Sequence, residues 1–494
     1  MNHYTSPYSL LALAMDAGNG TFLDHVGTRP NLRRAVRRVV GNRGAPGVDS
    51  MTVCQLAAAW PSLAGQISQQ VSEGTYPPSA IRRHAVPKAG GRGVRILGIP
   101  TVLDRTVQQA IAQPLGALLE EGFSPHSFGF RPGRSAHDAL QQARGFVENG
   151  RGWVLHLDLE KFFDLAPHDL VLARLAERVA DPRLLALVRR FLTAPFACGV
   201  RLEPRSRGLP QGSPLSPLLA NLLLDQLDVR LFDAGFSFCR YADDLCLYFT
   251  SEPEAREALD MITPWIEGEL RLRINREKTR IVPVEEDVVL GYRLVPGSSG
   301  VIFTPSREAL ANLRSAVRGL LNRHRTGNPR ELLCDALMPL VRGWTAYFSL
   351  TTDSRFFAAV DHLVIFEMRR WLWRRVRDPR RRVRVLVKRG VRAELARRLV
   401  AGEFPIRSVI QSAAFRKAYP LEWLKARGWV SCREFPYSMA PASDRCAEEQ
   451  VGRCDFIASV PDTQIAADSR IAARRCDIYE CQGLISLRPN IALS

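Results

Sequence analysis

The segment Trp153-Val154-Leu155-His156-Leu157-Asp158-Leu159 constrains this chain most, because it sets a carboxylate on an otherwise apolar strand. A period of two sends Leu155, Leu157 and Leu159 to one face and Val154, His156 and Asp158 to the other. A second segment repeats the problem. Phe238-Cys239-Arg240-Tyr241 and Leu245-Cys246-Leu247-Tyr248-Phe249 flank Ala242-Asp243-Asp244, which reads as a tight hairpin with both acids at its tip. Taken alone, an Asp pair in a turn is ordinary, since Asp favours turns. Three clustered carboxylates are different: they repel one another, and burial without partners is costly. Two Mg²⁺ ions are the natural compensation, because this hard cation takes oxygen ligands and is commonly held by carboxylates plus substrate phosphates. Two metals about 4 Å apart suit phosphoryl transfer, one activating the attacking oxygen and the other steadying the leaving one.

Net charge supplies the substrate class. Across 494 residues, 68 Lys and Arg stand against 50 Asp and Glu, a formal balance of +18. An excess of that size points to a polyanion, either nucleic acid or an anionic membrane surface. No apolar run approaches the roughly 20 residues that span a bilayer. The short stretch Ser9–Met15 has no Lys or Arg before it and makes a poor export signal. Ten scattered cysteines then read as reduced thiols in a cytoplasm. The spacing of Cys446, Cys454, Cys476 and Cys481 matches no common zinc pattern. Acidic cluster and basic balance together imply nucleotidyl transfer on a nucleic acid.

The rest of the chain reads as a mixed α+β protein. Asn31 to about Ile81 is helical around a Gly-rich loop, and Arg82–Lys88 with Val94–Pro100 forms a basic β-hairpin. A helix follows from Leu103 to about Glu121. Ser135 with Asp138 marks a further helix start. Ser216 suits an N-cap with Pro217 at the first helical position. From Ser306 to Arg325, Leu310, Leu313, Val317, Leu320 and Leu321 make one stripe, with Arg314, Arg318 and Arg325 on another face. Arginines are dense from Glu367 to Arg398, and beyond Arg433 the pattern weakens into a polar tail. His84, His137 and His156 read as structural, and Cys239 and Cys246 as small buried hydrophobes.

Motifs in order along the chain resemble those of group II intron-encoded reverse transcriptases, from about residue 31 to 431. Tyr241–Asp244 looks like the YADD box, Asp158–Asp164 (DLEKFFD) like the first catalytic motif, and Leu209–Pro217 (LPQGSPLSP) like the nucleotide-pocket motif. GAPGVD (Gly44–Asp49), GIPTVLDR (Gly98–Arg105), SFGFRPGRSAHDAL (Ser127–Leu140) and NREKT (Asn275–Thr279) are similar to motifs of the same family. Met338–Phe348 looks like the start of its maturase-specific thumb.

The resemblance implies a right-hand polymerase of α+β class. Residues 1–145 would be an N-terminal extension and fingers, 146–296 the palm, 297–432 a helical thumb or maturase domain, and 433–494 a tail of unknown role. Asp158, Asp243 and Asp244 would hold two Mg²⁺ ions, with the backbone carbonyl of Leu159 a further ligand. Lys88 and Arg95 would bind the incoming triphosphate. Phe163 would wall off a 2′-hydroxyl, Gln211 would lie beside the sugar and template, and Gly212 would let the backbone approach. Lys278 would protonate the leaving pyrophosphate. Arg314, Arg318, Arg325, Arg374 and Arg375 would contact RNA. The implied partners are a group II intron RNA or other RNA template, a DNA primer or target and dNTPs, in a bacterial cytoplasm and with no membrane. The tail shows no endonuclease motif. Two other tasks stay open: a domesticated enzyme for DNA repair, phage defence or CRISPR spacer acquisition, and an RNA-folding maturase with little polymerase use.

Overall fold

The computed structural model describes residues 21–87, 94–199, 201–297, 300–325, 327–351 and 354–435. They form two compact units divided between Val284 and Glu285. Lys88 and the residues after 435, with the tail cysteines and the endonuclease question, lie outside the described residues.

The first unit opens with helices α1 (Phe22–Val26), α2 (Arg29–Gly41) and α3 (Val53–Ser72). α3 ends well before Ile81, where the sequence pattern carried it. Gly74 takes φ +68°, and Pro77-Pro78 excludes further helix, so Ile81 opens a strand instead. That strand, β1 (Ile81–Pro87), pairs antiparallel with β2 (Val94–Ile99) as the expected basic hairpin. Helices α4 (Val102–Glu120) and α5 (Ala136–Glu148) follow. At the start of α5, Ser135 accepts from the Asp138 amide while the Asp138 side chain accepts from the Ser135 amide, the capping box read from sequence.

Strand β3 (Trp153–Asp158) leads into α6 (Phe162–Leu165), α7 (His168–Arg178), α8 (Pro182–Thr193), and the short β4 (Phe196–Cys198) and β5 (Arg201–Glu203). Then come α9 (Ser216–Asp233), β6 (Ser237–Tyr241), β7 (Asp244–Phe249), α10 (Glu252–Pro264) and β8 (Arg280–Pro283). Two four-stranded sheets result, ordered β2-β1-β4-β5 and β6-β7-β3-β8. In the second, β3 is internal, and Leu155 and Leu157 enter the main core with no exposed surface. Its opposite face is open only at one end. Val154 is fully buried there too, facing Tyr248, whose ring packs on Phe146 of α5. α9 begins one residue earlier than the pattern suggested: Leu215, not Ser216, precedes it, and Ser213 Oγ accepts the Leu215 amide. Ser216 is buried inside the first turn.

The second unit starts with the hairpin β9 (Tyr292–Gly297) and β10 (Gly300–Pro305), then becomes helical. α11 (Arg307–Arg323) is capped by Ser306 and buries Leu313, Val317 and Leu321. α12 (Met338–Tyr347), α13 (Ser354–Arg375), α14 (Pro379–Lys388) and α15 (Ala393–Val400) follow, and α16 (Ile406–Gln411), α17 (Ala413–Ala418) and α18 (Leu421–Lys425) end it. Among the described residues no helix is long and apolar enough to cross a membrane.

Glu367 on α13 is 2% exposed and serves as counter-ion to three arginines. Arg318 donates to it at 2.8 Å, Arg370 at 3.3 Å, and Arg314 lies 3.6 Å away. Glu367→Ala should lower stability by about 2 kcal/mol, the scale of a hydrogen bond to a charged group. The loss is read as a lower urea midpoint with unchanged slope, and added salt restores part of it by screening the arginines' mutual repulsion.

Candidate active site

Register builds the acidic centre. β3 pairs with β7 so that Asp158 faces Asp244, and β7 pairs with β6 so that Asp244 faces Tyr241. Directly opposed like charges oppose strand pairing, so this juxtaposition is held by everything around it. Asp243 occupies the turn beside Ala242, which takes the left-handed φ of +60°. Burial above all, with the Asp244 and Asp158 charges, pushes the Asp243 carboxyl up to about 6 against the opposing pull of its own backbone hydrogen bond and of Arg95. Its Oδ1 is buried with no hydrogen-bond donor among the described residues. An ionisable oxygen left unsatisfied beside two other carboxylates fits a divalent cation that prefers oxygen ligands.

The turn rests on a buried ion pair. Arg240, 1% exposed, donates Nε to Asp228 Oδ1 at 2.7 Å and Nη2 to Asp228 Oδ2. Its Nη1 donates to the Ala242 carbonyl at 2.8 Å and to Asn221 Oδ1 at 3.0 Å. Asn221 in turn donates to the Gly129 carbonyl at 2.8 Å. Residues 126–129 run beside β6, with the Arg240 amide donating to His126 and the Phe128 amide donating to Arg240. Gly129 lies against the Ala242 backbone so closely that a Cβ has no room. The motif around Ser127–Gly133 therefore supports the acidic turn from below.

The expected residues fall as follows. Leu159 follows β3 and forms an isolated bridge with Ile274. The hydrogen bonds of that bridge use the Asp158 carbonyl and the Glu160 amide, not the Leu159 backbone. Lys278 Nζ lies 3.8 Å from Asp158 Oδ2, and the Asp158 amide donates to Thr279 Oγ1 at 3.2 Å. Arg95 is half-buried on β2, and its field reaches Asp243. Phe162 is the inward ring, 1% exposed, while Phe163 is half-buried and meets Phe162 and Phe130 edge-on. Gln211 accepts the Gly98 amide through its carbonyl at 3.0 Å. Gly212 has φ +128°, and a Cβ there would come within 2.6 Å of the Gly98 carbonyl oxygen, so only glycine serves. Cys239 and Cys246 are buried, and burial pushes the Cys239 thiol up.

In the second unit, Arg314, Arg325, Arg374 and Arg375 are exposed and Arg318 is half-buried. Burial draws the Arg374 pKa down, and the charges of Arg370, Arg318 and Arg325 draw it down further. Arg318, Arg325, Arg370 and Arg374 therefore share one neighbourhood.

His156, read from sequence as structural, belongs to this site. His156 lies two positions before Asp158 on the same face, and its Nε2 is 2.6 Å from Asp244 Oδ1. Arg280, opposite it on β8, donates to His156 Nδ1 at 3.1 Å. Since Nδ1 accepts, the ring proton sits on Nε2 and is donated to Asp244. His156, Asp244 and Cys246 set their ligand atoms within 4.8 Å of one another. With that proton in place, however, His156 orients the carboxylate instead of ligating a cation. The signal was in the sequence: the same alternation that exposed Asp158 exposed His156.

Comparison with known proteins places these residues in context. Residues 86–294 match the reverse transcriptase (RNA-dependent DNA polymerase) family, and residues 310–390 match the maturase-specific domain of group II introns. Protein YkfC of Escherichia coli is 30% identical over 60% of this chain and 89% of its own length. The group II intron-encoded protein LtrA of Lactococcus lactis is 33% identical over 35% of this chain, and the match spans only 29% of LtrA. The Mx65 retron reverse transcriptase of Myxococcus xanthus is 32% identical over 40% of this chain and 47% of its own. Among solved structures, a Candida albicans telomerase is 13% identical, with a TM-score of 0.37 over 65% of this chain and 64% of its own.

The Asp243 geometry predicts a pH signature in metal-free protein. Its folded pKa is raised above the unfolded value of 3.8, so stability falls as pH rises to about 6 and then levels off. Asp243→Asn should raise the unfolding temperature in chelator by a few degrees above pH 6. The gain should vanish near pH 4, where the wild-type group is neutral. Thermal scans across pH check this, and a pH-independent difference contradicts it.

Proposed function

We propose the function from one premise, that this chain belongs to the group II intron reverse transcriptases, RNA-directed DNA polymerases with a maturase domain. The reaction is primer extension on an RNA template: a 3′-hydroxyl attacks the α-phosphate of a dNTP and pyrophosphate leaves. The convergence of Asp158, Asp243 and Asp244, with an unsatisfied buried oxygen on Asp243, carries the assignment. Asp158, Asp243 and Asp244, with the Leu159 carbonyl, would hold two Mg²⁺ ions. When bound, such ions supply charge neutralisation at the transferring phosphoryl group and lower the pKa of the attacking hydroxyl.

The chain's own groups do the rest. Arg95 and Lys88 bind the triphosphate, and their charges favour its approach to an acidic centre. Phe163 sets the sugar wall that favours deoxynucleotides. Gln211 and Gly212 form the floor beside the template. Lys278, held near Asp158, carries a proton to the departing pyrophosphate. His156 keeps one oxygen of Asp244 engaged, which would fix the orientation in which the other oxygen could hold a cation. Residues 1–145 correspond to the N-terminal extension and fingers, 146–296 to palm and 297–432 to the thumb. Its arginines bind RNA, and the same surface assists intron folding.

Two measurements test this reading. Asp243→Ala should abolish primer extension while leaving RNA affinity within about twofold, because the thumb arginines are untouched. Full-rate extension by that variant refutes the assignment. His156→Ala should raise the Mg²⁺ concentration for half-maximal extension by about tenfold, and weaken Mn²⁺ binding followed by electron paramagnetic resonance in parallel. His156→Gln, which keeps a donor, should recover most of both. An equal defect in the two variants would make His156 a packing residue.

A further inference from the structure

We infer that the helical unit carries a pocket for one unpaired nucleotide of bound RNA, with the phosphate on Arg375 and Arg381 and the base against Arg389. This deepens the RNA-binding reading above and rests on it. The cavity lies between the end of α13, α14 and the last short helices, and measures about 420 Å³. That is within the range of pockets that enclose a small ligand.

Its walls divide by chemistry. Leu372, Val376 and Val385 form an apolar floor, and Tyr419 and Trp423 form an aromatic side. Pro329 and three arginines complete the lining, and no carboxylate does. Arg389 is already stacked: its guanidinium carbon lies 4.3 Å from the Tyr419 ring centre and 4.8 Å from that of Trp423. Arg427 covers Trp423 at 3.9 Å, and Arg375 lies 5.4 Å from the Trp371 ring. Arg389 and Arg375 also both act on the Tyr419 hydroxyl, opposing the rise that burial causes.

These features select a ligand. A guanidinium held against aromatic rings is weakly hydrated and fixed in place, so the part of Arg389 that lines the cavity offers a flat cationic shelf at little entropic cost. Unpaired bases stack on such planes, and the forked donors of exposed Arg375 and Arg381 suit phosphate oxygens. A free inorganic anion would satisfy the arginines but leave the apolar floor empty. A paired base in a duplex cannot enter, because its faces are stacked and its edge is engaged. A flat ring joined to a phosphate fills both parts.

The test uses the full chain and two fluorescent RNA probes, a single-stranded oligouridylate of about 12 nucleotides and a duplex of the same length. Val385→Trp fills the cavity without changing charge, and Arg381→Gln removes one exposed fork. Each should weaken single-strand binding by about tenfold, the scale of one lost base stack, and leave duplex binding within about twofold. Unchanged single-strand affinity in a normally melting Val385→Trp, or equal losses on both probes, overturns the pocket. If Val385→Trp fails to fold, the same comparison on Arg381→Gln decides. Failure of the broader RNA-binding reading looks different: the wild-type chain would then bind neither probe, or bind with no dependence on salt.

Discussion

The pairing of β3 with β7 in one register is the constraint on which the first unit depends. Side chains alternate faces with a period of two, so a slip of one residue would carry Asp158 away from Asp244 and turn Leu155 and Leu157 out of the core. Apolar burial thus enforces a contact between two carboxylates that repel each other. Leu155 and Leu157, fully buried, outweigh the repulsion at the strand end, where solvent and cations can relieve it. A site that disfavours itself electrostatically is stable because the same strand is also the centre of the core.

Support for that strand end comes from groups of opposite kinds. The Arg240–Asp228 pair is almost wholly buried and holds the Ala242 carbonyl, so it fixes the backbone that presents Asp243. Removing either partner alone would leave an isolated buried charge, which is why such pairs specify geometry more than they add stability. His156 and Arg280 act instead from the side, through a hydrogen-bond chain that ends on Asp244. One network positions main chain and the other orients a side chain. Between them the two networks preorganise the acidic centre.

Much of this was legible in sequence because the signals were local. The alternation in Trp153–Asp158, the Ser135–Asp138 capping box and the apolar stripe of α11 each need only neighbouring residues, and each element formed. Errors arose where distant partners decide. Val154 reads as surface by alternation, but α5 lays Phe146 over that end of the sheet. Ser216 reads as a cap, but Leu215 takes the N-cap position with no side-chain cap, its amide held by Ser213 from the preceding loop. The counter-ion of Arg314 and Arg318 was not legible either, since Glu367 lies some fifty residues away in the chain. His156 was legible in position but not in role, since its role depends on Arg280 from another strand.

The close approach of Gly98 and Gly212 carries a mechanical consequence. The Gly98 amide bonds directly to the Gln211 carbonyl, and no side chain lies between the two backbones to absorb movement. Strand β2 and the loop before α9 are therefore geared together tooth to tooth. Any rocking of the basic hairpin would shift that loop by a similar amount, so under the proposed nucleotide-binding roles grip and seat would move as one piece.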